Sequence, residues 1–127
     1  MHSDHAGIAT DDAEELAGLF GELCDLPIAH KESFEGMNIV FLDCGGGYFE
    51  LLEPEGEGAI ATYLDRNGPG IHHLALATED IESALDRAKE LGVERIDEAP
   101  RPGAWGHDVA FLHPKSTGGI LIEFVEH

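Results

Sequence analysis

Apolar and polar positions in this chain follow two periods, and the switches between them mark out its elements. Residues 4 to 10, "DHAGIAT", alternate small and apolar side chains and predict a strand. Leu16, Leu19, Phe20 and Leu23 then recur at helical spacing behind Asp11 or Asp12, either of which is a fitting N-cap, and Pro27 is expected to end that helix. A weak strand is expected around Ala29 to Phe34. "MNIVFLD" (37 to 43) and "YFELLE" (48 to 53) predict two strands joined by a glycine hairpin at "CGGG". "GAIATYLDRNGPG" (58 to 70) predicts a short helix and a linker.

The order then restarts. A strand is expected over 71 to 77, a helix from about Asp80 to Leu91 with Gly92 as its C-cap, and a short strand from Val93 to Ile96. "RPGAWG" reads as a loop, Val109 to Leu112 as a strand, "HPKSTGG" as a turn and Ile120 to Val125 as the last strand. Superposing His5 on His73 sets Ala9 over Ala77, Thr10 over Thr78, Asp12 over Asp80 and Glu14 over Glu82. At the far ends "FLD…YFELLE" parallels "FLH…LIEFVE", setting Glu50 over Glu123. The expectation is one α+β domain of two pseudo-symmetric βαβββ modules: module one at about 1–57, a linker at about 58–70 and module two at about 71–127.

Composition narrows the setting. The 127 residues are 43% hydrophobic, enough for a folded core. No apolar run reaches the roughly 20 residues of a membrane span, and the N-terminus lacks a signal-peptide pattern. Cys24 and Cys44 form no motif and are expected as buried, reduced thiols of a cytoplasmic protein. Twenty-six acidic residues against seven basic ones leave a net charge of −19, which repels nucleic acid and anionic membranes. The acids are spread through every segment rather than gathered in a tail. That distribution fits an extreme halophile, whose high-salt cytoplasm screens the self-repulsion.

Each half thus offers one histidine opening its first strand and one glutamate inside its last. Strand alternation puts Glu50 on a face with Tyr48 and Leu52, and Glu123 on a face with Leu121 and Val125. An unpaired carboxylate on such apolar faces is costly. His5 and His73 share their faces with Gly7 and Ala9, and with Ala75 and Ala77, small residues that leave room above the sheet. Two imidazoles and two carboxylates suit a divalent ion such as zinc, cobalt, nickel or manganese. On spacing alone, a metal site and ordinary hydrogen-bonded strand residues stand about level. His72 points away from His73 and is not counted as a ligand; His107 and His113 are read as structural.

The quoted segments also carry a resemblance. "DHAGIAT" and "GIHHLAL" resemble the two histidine strands of the vicinal oxygen chelate superfamily. "FELLEP" and "FLHPKSTGGILIE" resemble segments of its methylmalonyl-CoA epimerase family over essentially the whole chain. The resemblance implies a cupped mixed sheet around one metal site, usually in a homodimer. It implies one divalent metal ion per chain (cobalt, zinc, manganese or nickel), with His5, Glu50, His73 and Glu123 as metal ligands. It implies epimerisation of methylmalonyl-CoA through a metal-stabilised enolate, with Glu50 and Glu123 as the catalytic carboxylates. Lys115 and the "RPGAWGH" loop are candidates to contact the CoA phosphates or the substrate carboxylate, with a solvated turn lysine an equal reading for Lys115. One position departs from the pattern: where some members have a glutamate in the strand after Gly36, this chain has Ile39. The competing readings are a glyoxalase I-type isomerase, a non-catalytic sequestering protein of the bleomycin-resistance kind, which generally lacks the ligands, and an extradiol dioxygenase, which is usually longer.

Overall fold

The computed structural model describes residues 1–127 and divides into two compact units, His5–His72 and Met1–Asp4 with His73–His127. The first holds most of β1 (His2–Ala9), then α1 (Ala13–Cys24), β2 (Ile28–Phe34), β3 (Met37–Asp43), β4 (Tyr48–Pro54) and α2 (Ala59–Asn67). Its strands run in the order β2-β3-β4-β1, with β1 parallel to β4 and the other pairs antiparallel. The second holds most of β5 (Gly70–Ala77), then α3 (Ile81–Glu90), β6 (Arg101–Pro102), β7 (Asp108–Leu112) and β8 (Ile122–Glu126). Its order is β5-β8-β7-β6, again with one parallel pair, β5 and β8. Each unit is thus a mixed sheet with a helix across one face, in the βαβββ order that the repeat predicts.

The same capping chemistry starts both helices. Asp12 Oδ1 accepts from the Glu15 amide at 3.0 Å, and Asp80 Oδ1 from the Ser83 amide at 3.1 Å. Thr10 and Thr78 hydroxyls accept from the Asp12 and Asp80 amides. The last strand of each unit then reaches back. Glu53 accepts from the Ala13 amide and Glu126 from the Ile81 amide, each at 2.8 Å. These carboxylates satisfy orphan donors and complement the positive helix end.

Helix ends differ in detail from the sequence reading. α1 stops at Cys24 because Asp25 turns left-handed at φ 56°, ahead of Pro27. α3 closes on Leu91, with Gly92 one place beyond the cap at φ 75°. Gly92 N–H donates to the Lys89 carbonyl and Val93 N–H to the Ala88 carbonyl, a Schellman closure that needs the left-handed glycine. The segment 58–70 is mostly α2, seated in the first unit by buried Ile60.

Three expectations are corrected. Residues Val93 to Ile96 make no strand; only Arg95 bridges Leu112. The Ile96 and Asp97 amides both converge on the Phe111 carbonyl, and the Asp97 carboxylate takes the Phe111 amide, which stops the ladder there. The pairing strand is instead Arg101–Pro102, inside the expected loop, cut short by a left-handed turn at Trp105 and Gly106. Finally, Cys24 and Cys44 are both exposed.

The helix-facing cores are the expected apolar stripes. In the first unit Ala13 and Ala17 of α1 pack on Val40, Leu42 and Leu51, with Phe49 against them. In the second, Ile81, Ala84, Leu85 and Ala88 of α3 pack on Ala110, Leu112 and Phe124. The alternate residues of those strands therefore face away from the helices, and the candidate chemistry lies among them.

Candidate functional site

In the first unit the parallel register of β1 and β4 sets His5 beside Tyr48, Gly7 beside Glu50 and Ala9 beside Leu52. The antiparallel register of β3 sets Phe41 on the other side of Glu50. His5 Nε2 lies 3.2 Å from Glu50 Oε1, and both side chains are buried. The His5 ring meets Phe41 edge-on, centroids 5.9 Å apart at 85°.

The second unit repeats this arrangement residue for residue. Ala75 stands beside Glu123 in β8, and Phe111 of β7 stands on its other side. His73 Nε2 lies 3.5 Å from Glu123 Oε1, again buried. The His73 and Phe111 rings meet at 5.4 Å and 84°. Each unit therefore builds a buried imidazole–carboxylate pair with a small residue on one flank and a phenyl ring on the other. Gly7 and Ala75 leave the carboxylate uncovered by side chains on their strand; Phe41 and Phe111 restrict the imidazole orientation.

Burying one ionisable group without a partner costs several kcal/mol, so two matched buried pairs outside the helix-packed cores are not packing accidents. His5, His73 and Glu123 are donors of the kind that hold a metal ion, and all three are buried. Neutral imidazole nitrogens and carboxylate oxygens fit zinc, cobalt, nickel or manganese, and the donor set is thereby consistent with the expected ion.

The other candidates have separate roles. His72 is half-buried with its ring on Tyr63, 5.2 Å away. His113 Nδ1 accepts from the Lys115 amide at the turn after β7. The His107 ring is stacked between Trp105 and His127, and His127 Nε2 contacts the buried Asp4 at 2.5 Å. Lys115 is exposed, its Nζ 2.7 Å from Glu94 Oε2. That ammonium holds the Glu94 carboxyl below the usual carboxylate range. Ile39 is buried between Leu52 of β4 and Glu32 of β2, on the face that carries Phe41. Glu35, the next carboxylate along, is exposed in the β2–β3 turn with φ 47°.

Two flanking residues, Phe41 and Phe111, escaped sequence reasoning. The signal was present, because "FLD" over "FLH" places them at matched positions. Asp97 and Arg101 also belong to this neighbourhood: Arg101 Nε lies 3.1 Å from Asp97 Oδ1, and its guanidinium sits over the Phe111 ring at 5.5 Å.

Known proteins resemble this chain in sequence and in fold. An ethylmalonyl-CoA/methylmalonyl-CoA epimerase of Cereibacter sphaeroides is 37% identical, over 94% of this chain and 93% of that protein. The human mitochondrial methylmalonyl-CoA epimerase is 32% identical, over 94% of this chain and 70% of that protein. Among solved structures, a hypothetical protein from Bacillus halodurans C-125 matches with a TM-score of 0.95 at 39% identity, over 98% of this chain and 93% of the other. The methylmalonyl-CoA epimerase of Mycobacterium tuberculosis matches with a TM-score of 0.93 at 32% identity, over 98% and 87%. Residues 4–111 match the glyoxalase/bleomycin resistance protein/dioxygenase superfamily, and the chain belongs to it.

Proposed function

We propose that this chain is a methylmalonyl-CoA epimerase in which His5, Glu50, His73 and Glu123 together hold one divalent ion. The observation that carries the reading is the duplicated buried imidazole–carboxylate pair, one per unit, each flanked by a small residue and a phenylalanine. Sequestering proteins of the bleomycin-resistance kind generally lack such ligands, so the retention of all four residues favours an enzyme. The identity to epimerases over nearly the whole chain supports the substrate.

The C2 proton of a methylmalonyl thioester is acidic because both neighbouring carbonyl groups accept the charge left behind. A divalent cation, when bound, supplies Lewis-acid stabilisation of the charge developing on the thioester oxygen. Inversion needs one base to remove the proton and one acid to return it on the opposite face. Glu50 and Glu123 fill those roles, each serving one stereoisomer, and Ile39 offers no base at its own position. Burial excludes bulk water from both carboxylates and limits solvent quenching of the carbanion. Lys115 contacts CoA phosphates by releasing Glu94. The molecule acts as a homodimer in a high-salt cytoplasm, the latter consistent with its charge of −19.

The test is C2 hydrogen exchange with each pure epimer in deuterium oxide and strong salt. Wild type should epimerise both. Glu50→Gln and Glu123→Gln should each keep much of their metal and lose net epimerisation by about 10²–10⁴-fold, while retaining exchange on opposite isomers. Normal epimerisation by Glu50→Gln would overturn the two-carboxylate mechanism. Activity on hemithioacetals of methylglyoxal instead of methylmalonyl-CoA would favour the glyoxalase reading.

A further inference from the structure

Only seven lysines and arginines serve this acidic chain, and Arg101 alone among those of the second unit lies on the His73–Glu123 face of its sheet. Arg101 pairs with Val109 in the β6–β7 ladder, so its side chain emerges on the face shared by Val109, Phe111 and Glu123. Arg87 and Lys89 ride on α3 across the other face, Arg95 bridges Leu112 of the α3 core, and Lys115 is taken by Glu94.

The guanidinium is oriented from two sides. Its Nε lies 3.1 Å from Asp97 Oδ1, and Asp97 is itself fixed, because its Oδ2 accepts from the Phe111 amide at 2.9 Å. Its plane carbon rests 5.5 Å over the Phe111 ring, which on its own part meets the His73 ring at 5.4 Å. One strand residue thus places both the imidazole and the guanidinium. Asp97 engages only Nε, and the Arg101 side chain stays 43% exposed, so both Nη groups are available as a two-pronged donor.

We propose that Arg101 recognises the free carboxylate of the acyl group, and so selects 2-carboxyacyl thioesters over plain acyl thioesters. This rests on the epimerase reading above. A planar carboxylate and a CoA phosphate offer the same paired oxygens, but position separates them. Two ring contacts join Arg101 to His73, whereas the pantetheine arm carries the phosphates far from the thioester. The carboxylate, one bond from C2, is the anion within reach. Holding it there also fixes the rotation about the bond from C2 to the thioester, so that the C2–H bond is presented to a base.

The experiment compares equilibrium binding of methylmalonyl-CoA and propionyl-CoA, which differ only by that carboxylate, to metal-loaded protein in strong salt. Wild type, Arg101→Gln, Arg101→Lys and the control Arg87→Gln are measured, with unfolding midpoints confirming that each is folded. Wild type should prefer methylmalonyl-CoA. Arg101→Gln should weaken methylmalonyl-CoA by roughly 10- to 100-fold and leave propionyl-CoA within about twofold, abolishing the preference. Arg101→Lys should restore part of it, and Arg87→Gln should match wild type. Equal weakening of both ligands would assign Arg101 to the phosphates and overturn the proposal, as would no change in either. Epimerisation by the same wild-type sample separates the two readings. Carboxylate preference without epimerisation would sink the epimerase reading and leave Arg101 standing; epimerisation without preference would sink Arg101 alone.

Discussion

Gly103→Ala tests how tightly β6 must close on β7 to hold Arg101 in place. Gly103 has extended backbone, φ −117° and ψ −172°, which alanine adopts without strain, so any effect must come from contact. An added Cβ would lie 2.6 Å from Val109 Cγ1, 2.9 Å from Cγ2 and 3.3 Å from the His107 carbonyl oxygen. The first two distances are far inside van der Waals contact. Val109 cannot turn away cheaply, because it is β-branched and buried against Ala75 and Val125. Overpacking of this kind costs roughly 1–3 kcal/mol. For a chain of this size that is about 3–5 °C in melting temperature for each kcal/mol. The assay is denaturant unfolding at fixed high salt, run as a double-mutant cycle with Val109→Ala. Val109→Ala alone should destabilise by about 1–3 kcal/mol through lost methyl burial. In its background the Gly103→Ala penalty should shrink by at least half, since the new methyl enters the vacated space. An equal Gly103→Ala cost in both backgrounds, or a cost below about 0.5 kcal/mol in wild type, would refute the contact argument.

Further outcomes follow from the same structure. Purified protein should bind about one divalent ion per chain; His5→Ala and His73→Ala should each lose it by atomic-absorption analysis, and His72→Ala should retain it, since that ring packs on Tyr63. Glu53→Ala and Glu126→Ala should each destabilise by about 0.5–2 kcal/mol through loss of the acceptor for the Ala13 or Ile81 amide; unchanged unfolding midpoints would discount these caps. Metal-free protein should lose stability steeply as salt falls, because the Debye length grows from about 3 Å at 1 M to about 30 Å at 0.01 M and the net charge of −19 repels itself; a midpoint indifferent to salt would contradict the halophile reading. Because Lys115 lowers the Glu94 pKa, the stability linked to that pair is present above the ordinary carboxylate pKa and fades as pH falls through the folded value; Lys115→Met should therefore differ from wild type at neutral pH and converge with it in acid.

The duplicated parts of the chain were the legible ones. Threonine, aspartate, histidine and glutamate recur at matched offsets, and three of these matches are one local interaction made twice: Thr10 with Thr78, Asp12 with Asp80, His5–Glu50 with His73–Glu123. Alternation predicted which strand residues would turn from the helices, because one face of each sheet is committed to α1 or α3. Where the two halves diverge, reading failed. β2 is a seven-residue strand, while its counterpart β6 has two residues and begins well after the expected Val93. What ends the earlier segment is a side-chain event, the Asp97 carboxylate capturing the Phe111 amide, which no periodicity announces. The same capture sets up Arg101: its segment was legible as a candidate substrate contact, but its short pairing with β7 and its seat over Phe111 were not. The phenylalanines were visible but ordinary; only their register partners, Glu50 and Glu123, distinguish them from core residues.

The parallel pairing of the first and last strands in each unit has a kinetic consequence. β2, β3 and β4 are joined by short antiparallel turns and can assemble from near neighbours, whereas β1 must wait for β4. The capping contacts that accompany these closures span 40 residues in one unit and 45 in the other. Loop-closure entropy makes such pairings slow relative to hairpins. Each histidine enters on the strand that arrives late, and its glutamate is already on the strand that receives it. Until the parallel pairs close, each carboxylate stands apart from its imidazole. The ligand set proposed for the ion is therefore complete only after both parallel closures, which ties its assembly to the native topology.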